Sequence, residues 1–204
     1  MISRRSGFTV IELMITVGII AILATIAAPS LRDLVKNARM TSLVNDLMGD
    51  LSVARAEAVK RGVPVSVCTS NNGTSCTASE WRYGWIIFAE SNTTGTPGVI
   101  DLGETILKAA PKINGADENP ASLITSLNNP TAGTTNYVPF RPTGVTKPGG
   151  GGANIHFYLC DARRTGLVSA GEAINKGRHI TLIGTGRAQT VRCTCDVTGL
   201  TCTP

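Results

Sequence analysis

The opening of this chain has room for one kind of structure, a long helix that begins in hydrocarbon. From Phe8 to Pro29 it reads FTVIELMITVGIIAILATIAAP, 22 residues in which Glu12 is the only charge. A run of that length and apolarity suits a helix crossing a bilayer. A carboxylate inside hydrocarbon costs roughly 2.5–3.5 kcal/mol even on a lenient insertion scale, so an acid there marks function and implies a partner for its charge. The expected partner is a positive charge created just upstream.

The upstream segment, MISRRSG, carries Arg4 and Arg5 and ends at Gly7. A short basic stretch before an apolar run is signal-like and holds its arginines on the cytoplasmic side. The order differs from that of an ordinary secretory signal, because the small residue that would be cut precedes the apolar run. Beyond the run the helical pattern continues to about Arg61. Leu31, Val35 and Ala38, then Val44, Met48 and Leu51, then Arg55 and Ala58 recur at three- and four-residue steps. Asp33, Lys36, Asn37, Asp46 and Asp50 are expected mostly on other faces. Such a helix, at 1.5 Å per residue, is a rod of about 80 Å. Pro29 removes one backbone hydrogen bond and is expected to kink it, and Gly62 with Pro64 is expected to end it.

The remainder reads as short strands: Val63–Cys68, Tyr83–Phe88, Thr105–Ala109, Tyr137–Phe140, Ile155–Cys160, His179–Ile183 and Thr190–Cys193. Turn-rich segments separate them, and Gly149–Gly152 reads as a hairpin tip. Residues 111–136 carry little pattern and are expected to form a long surface loop. The fold class expected is α+β, a long N-terminal helix packed on an antiparallel β-sheet or sandwich domain. Four segments follow: 1–7 a leader, 8–29 a transmembrane helix, 30–61 an amphipathic helix, and 62–204 a β-rich domain.

Six cysteines, at 68, 76, 160, 193, 195 and 202, all lie beyond the apolar run. Behind a translocation signal they read as disulfides in an oxidising periplasm. Cys68–Cys76, spanning the turn-forming SNNGTS, is the expected local pair. For the others the reading is Cys160–Cys193 with Cys195–Cys202, and Cys160–Cys195 stands beside it. The Cys193-x-Cys195 spacing lacks the second cysteine pair or histidine cluster that a zinc site requires, so neither metal nor cofactor is expected.

The N-terminus resembles the class III signal of type IV prepilins, through Gly7, Phe8, Thr9, Val10, Ile11, Glu12 and Leu13. The resemblance implies that a prepilin peptidase cuts after Gly7 and N-methylates Phe8, and that Glu12 serves assembly. It also implies a proline where Pro29 stands. The pattern extends along the chain. ARAEAVKRGVPVSVCTS (Ala54–Ser70), WRYGWIIFAE (Trp81–Glu90), FRPTG (Phe140–Gly144) and YLCDARRTG (Tyr158–Gly166) resemble minor pilins of the FimT/FimU and GspH type. The implied function is a minor pilin that helps initiate, or sits at the tip of, a type IV pilus, in twitching motility or DNA uptake. A minor pseudopilin of a type II secretion system is the alternative. The implied partners are other minor pilins, the major pilin, the prepilin peptidase, an inner-membrane assembly platform and the membrane. The implied location is the inner membrane, with the C-terminal domain in the periplasm, and then the filament.

Net charge is +5, and +3 once Arg4 and Arg5 leave with a leader. The bases of the C-terminal region suggest a second alternative, DNA binding as a receptor in natural transformation. Lys176, Arg178, Arg187 and Arg192 are the candidates, since phosphate contacts need only positive charge. Resemblance implies a GRxR motif there. Gly186 and Arg187 match it, but Gln189 stands in place of the second arginine. No catalytic residues are expected. His156 and His179 are the only histidines, and the chain carries no G-x-S-x-G, H-E-x-x-H or nucleotide-binding glycine loop.

Overall fold

The computed structural model describes residues 7–77, 81–90, 98–110, 126–128, 137–146, 154–160, 177–195 and 202–203. They form two compact units, Met1–Ala38 and Arg39–Pro204. One helix, α1, runs from Val10 to Arg61 through Pro29. Thr9 caps its start: the Glu12 amide donates to Thr9 Oγ1 at 3.3 Å and the Leu13 amide to the Thr9 carbonyl at 3.2 Å. Gly62 ends it at φ +68°, with its amide on the Ala58 carbonyl. A residue with a Cβ is strained in that left-handed turn.

In the first unit the described side chains of α1 are exposed along its whole apolar stretch, from Val10 at 77 % to Leu23 at 60 %. Among the described residues no helix is long and apolar enough to cross a membrane. Residues 26–29 of the expected span 8–29 lie outside the described side chains.

The second unit is an α+β domain with two antiparallel sheets. The first has the order β3-β2-β1-β5, with β1 Val65–Thr69, β2 Trp85–Ala89, β3 Thr105–Ala110 and β5 Tyr137–Phe140. The second has the order β4-β6-β7-β8-β9, with β4 Ser126–Asn128, β6 Ile155–Cys160, β7 Gly177–Leu182, β8 Ala188–Cys195 and β9 Cys202–Thr203. All seven expected strands are present, with ends shifted by up to two residues. β4 and β9 were not expected. β4 corrects the reading of 111–136 as loop throughout, because Leu127 pairs with Leu159 of β6. The Gly149–Gly152 tip lies outside the described residues.

The helix stripe that packs on the sheets is Met40, Val44, Leu47, Leu51, Ala54 and Ala58, each at most 3 % exposed. This corrects the expected stripe, which omitted Met40, Leu47 and Ala54; of its own members Met48 packs half-buried against the core, Arg55 is half-buried, and Leu31, Val35 and Ala38 are exposed. Against it lie Val65, Val67 and Ile87 of the first sheet and Phe157, Leu159, Ile180 and Leu182 of the second. A 3-10 turn, Trp81–Tyr83, carries Trp81 into the same core, where it meets the Phe157 ring edge-on with centroids 5.1 Å apart.

Asp50 corrects a second expectation. It is buried rather than outward, and its carboxylate accepts from Trp85 Nε1 at 2.9 Å and pairs with Lys108 Nζ. The Gly84–Trp85 pair thereby acquires a structural reason. Gly84, at φ +113°, turns the chain so that the following indole reaches the helix.

The central strands of the first sheet, β1 and β2, are buried on both faces. The back of the sheet carries Cys68, Ile86 and Phe88, covered by Cys76, Ile100 and Tyr137. Cys68 and Cys76 are joined by a disulfide with Cα atoms 5.6 Å apart, and the loop between them folds over that face. Asn72 closes the loop by accepting from the Thr74 and Ser75 amides, each at 3.0 Å. Cys193 is also disulfide-bonded. The side chains of Cys160, Cys195 and Cys202 lie outside those described, and with them the expected pairs Cys160–Cys193 and Cys195–Cys202.

Candidate functional site

Two places carry the residues that the sequence singled out. At the N-terminus, Gly7 and Phe8 precede the helix, and Phe8 is 74 % exposed. The Gly7–Phe8 bond therefore lies outside α1. Glu12 occupies the third helical position, where Thr9 Oγ1 lies 3.5 Å from its Oε2. Thr9-x-x-Glu12 is the sequence form of a capping box, a signal present in the chain and missed in the sequence reading. An acid in the first turn also complements the helix dipole. Glu12 therefore has a local role before any filament forms. Cleavage after Gly7 would leave Thr9 as the second residue, so the cap survives processing.

The second place is the β7–β8 hairpin. Arg178 of β7 lies directly opposite Arg192 of β8. Burial, and then the charge of Arg192, push the Arg178 guanidinium below its ordinary value. Arg187 sits at the other end, in the turn where the Ile183 amide bonds the Arg187 carbonyl and the Gly186 amide bonds the Ile183 carbonyl. At about 3.3 Å per residue, that end is more than ~10 Å from the Arg178–Arg192 pair. The structure thus divides the expected basic patch. Gln189 is exposed opposite Thr181, and Lys176 lies outside the described residues.

The turn end is built tightly. Gly186 has φ +80°, and a Cβ there would fall 2.1 Å from the Gly144 carbonyl oxygen. Gly144, at φ +76°, closes the Arg141–Gly144 turn, and Arg55 Nε of α1 donates to its carbonyl at 2.9 Å. The Thr146 amide bonds the Gly184 carbonyl and ties the two turns together. Here FRPTG, GTGR and the end of the helix meet. The sequence shows the two glycines but not that they touch.

One cluster escaped the sequence reading. On the outer face of the second sheet, His156 Nδ1 and His179 Nε2 are 2.8 Å apart, and the Tyr158 ring stacks on His179 at 4.6 Å. Thr181 Oγ1 lies 3.2 Å from His179 Nε2. Burial lowers both histidines below their ordinary value, and His156 further lowers His179. The alternation of His156 with Tyr158, and of His179 with Thr181, placed each pair on one face of its strand. Only the β6–β7 register shows that the faces coincide. Among the described residues no group of three or more metal-ligating side chains occurs.

The model of the family described as type II transport protein GspH matches residues 43–186, and that of the prokaryotic N-terminal methylation motif matches residues 2–28. The GspH family is one of pilin-like structural subunits rather than enzymes. No curated protein matches the chain. Two crystal structures of the type IV minor pilin FimU of Pseudomonas aeruginosa (strain PAO1) are similar. One is 16 % identical with a TM-score of 0.49, covering 78 % of this chain and 90 % of its own. The other, in a different space group, is 16 % identical with a TM-score of 0.46, covering 74 % and 91 %.

Proposed function

The chain belongs to the GspH family of pilin-like subunits, and from that premise we propose that it is a minor pilin which helps initiate, or sits at the tip of, a type IV pilus. The observation that carries the reading is the N-terminal methylation motif on an exposed apolar helix whose only acid through Pro29 is Glu12. The prepilin peptidase removes 1–7 and methylates Phe8. Segment 8–29 anchors the subunit in the inner membrane, and 62–204 is displayed in the periplasm and then in the filament. Cleavage leaves an ammonium on Phe8, four residues from the Glu12 carboxylate. Among parallel subunits, Glu12 of one chain meets the amine of its neighbour. That pairing offsets the cost of burying the carboxylate and sets the axial register.

The test is a Glu12→Ala strain, scored for processing by mass spectrometry and for incorporation by blotting sheared filaments. Cleavage and methylation persist and incorporation is lost. Wild-type pilus levels with the variant subunit present in them refute the assignment.

A second reading, a minor pseudopilin of a type II secretion system, is favoured by the description of the matching family. The disulfide-stapled SNNGTSC loop and the Gly84–Trp85 motif support the pilus reading over it. Deletion scored in parallel for twitching and exoprotein secretion separates the two. DNA binding draws no contiguous surface from the hairpin, since Arg187 and the Arg178–Arg192 pair stand at opposite ends.

A further inference from the structure

Where the two glycine turns meet α1, they leave a cavity of about 550 Å³. Arg55 forms part of its wall, with Lys60 and Arg187 also lining it. Ala56, Val59 and Ala188 supply apolar surface, and among the described residues no acidic side chain lines it. Glu57, the nearest acid in sequence, forms ion pairs with Lys60 and Arg61. Arg187 is exposed. Arg55 is half-buried, and its Nε is committed to the Gly144 carbonyl. Its terminal Nη atoms have no acceptor among the described residues. A guanidinium fixed through Nε presents its remaining donors as a planar fork, the geometry that takes a carboxylate through two parallel hydrogen bonds.

We propose that this cavity binds a carboxylate of a neighbouring filament subunit, carried on an acidic peptide segment. Arg55 forms the fork, Arg187 closes over the anion, and Lys60 supplies charge at the rim. Apolar walls lower the local dielectric and strengthen the pairing beyond what an exposed ion pair gives. Nucleic acid is the poorer occupant, because backbone binding needs a track of cations and the remaining hairpin bases lie at the far end. The inference rests on the filament reading for the source of the peptide, but its chemistry can be tested apart from it.

The probe is a fluorescein-labelled hexaglutamate peptide, measured by anisotropy against the full chain in detergent at low salt. Hexaglutamine and a hexathymidylate of the same label are run alongside. The glutamate peptide binds and the glutamine peptide does not. Arg187→Gln, in an exposed turn, weakens binding about tenfold, and Arg55→Gln weakens it at least as much. Circular dichroism confirms that Arg187→Gln is folded, so the result does not hang on Arg55→Gln, which also loses the bond to Gly144. Equal binding of the two peptides, or unchanged binding by Arg187→Gln, overturns the site. Tighter binding of the oligonucleotide, lost in the same variant, overturns the carboxylate in favour of a phosphate. No peptide binding by the native chain, which still enters filaments through Glu12, overturns this inference alone. Peptide binding by a chain that never enters filaments upholds the anion site and overturns the filament reading.

Discussion

The two halves of α1 are built from similar residues and meet opposite fates. From Val10 to Leu23 the apolar side chains are exposed all round, and Ile15 is 57 % accessible. From Met40 to Ala58 a stripe at three- and four-residue steps is buried to within a few per cent. The second half is amphipathic and is satisfied by two sheets of its own chain. The first is apolar on every face, a pattern that suits lipid or neighbouring helices rather than a single core. One helix thus joins a segment stabilised within the subunit to one whose apolar surface is free to serve assembly.

The sharpest way to break this comparison is a matched pair of truncations. Leu47→Ala removes a side chain 1 % exposed and should lower the unfolding free energy of the domain by about 3 kcal/mol. Ile15→Ala should change it by no more than about 0.5 kcal/mol. Urea unfolding followed by tryptophan fluorescence reads both. Equal effects would mean that the first half is part of the folded domain.

Asp50 is the next test, because it is the one charged group that the second half buries. Asp50→Ala strands the Trp85 indole N–H and frees Lys108, and should cost about 2–3 kcal/mol. Asp46→Ala, on an exposed part of the same helix, should be near neutral. A neutral Asp50→Ala would show that the helix is held by its apolar stripe alone.

The Cys68–Cys76 staple ranks below these. It closes a short loop, with a sequence separation of 8, so the chain-entropy estimate for Cys68→Ala with Cys76→Ala is a loss of about 2 kcal/mol. Urea unfolding of the double variant beside the native chain, both under oxidising conditions that keep the Cys193 bridge, reads it. No loss would show that the Asn72 hydrogen bonds suffice to hold the loop over the back of the first sheet.

The same contrast explains what could be read from the sequence. Glu12, Gly7 and the apolar run declare themselves because their meaning is local: a charge in hydrocarbon and a glycine before it. The α+β class and seven strands were legible from alternation and turn residues. The inward helix face was drawn off-centre because Met48 and Arg55, both half-buried, share the spacing of the true stripe, and only the facing sheets decide which residues are fully covered. Asp50 was unreadable for the same reason, since its partners Trp85 and Lys108 lie on other strands. β4 escaped notice because three residues carry too little periodicity to stand out. The meeting of Gly144, Gly186 and Arg55 is a tertiary contact between three segments that individually look like ordinary turns.

The smallest effect belongs to the His156–His179 pair, far from the helix and on the open face of the second sheet. At 2.8 Å one imidazole must donate and the other accept, which requires at least one neutral ring. Burial holds both histidines below their ordinary value of 6.5, and the charge of His156 lowers His179 further. The unfolded chain therefore takes up protons first as the pH drops. The stability contributed by the pair is present in full above about pH 6.5 and is lost as the pH falls through that value toward the lowered folded-state values. Urea midpoints at pH 7.5 and pH 5.5 read this. The native chain should lose more between the two than a His156→Asn, His179→Asn variant, in which the carboxylate contributions are the same and the imidazoles are gone. Parallel pH profiles would show that the rings touch without sharing a proton. The second sheet would then hold its outer face, as the first half of α1 holds its apolar surface, with little energetic stake in the fold.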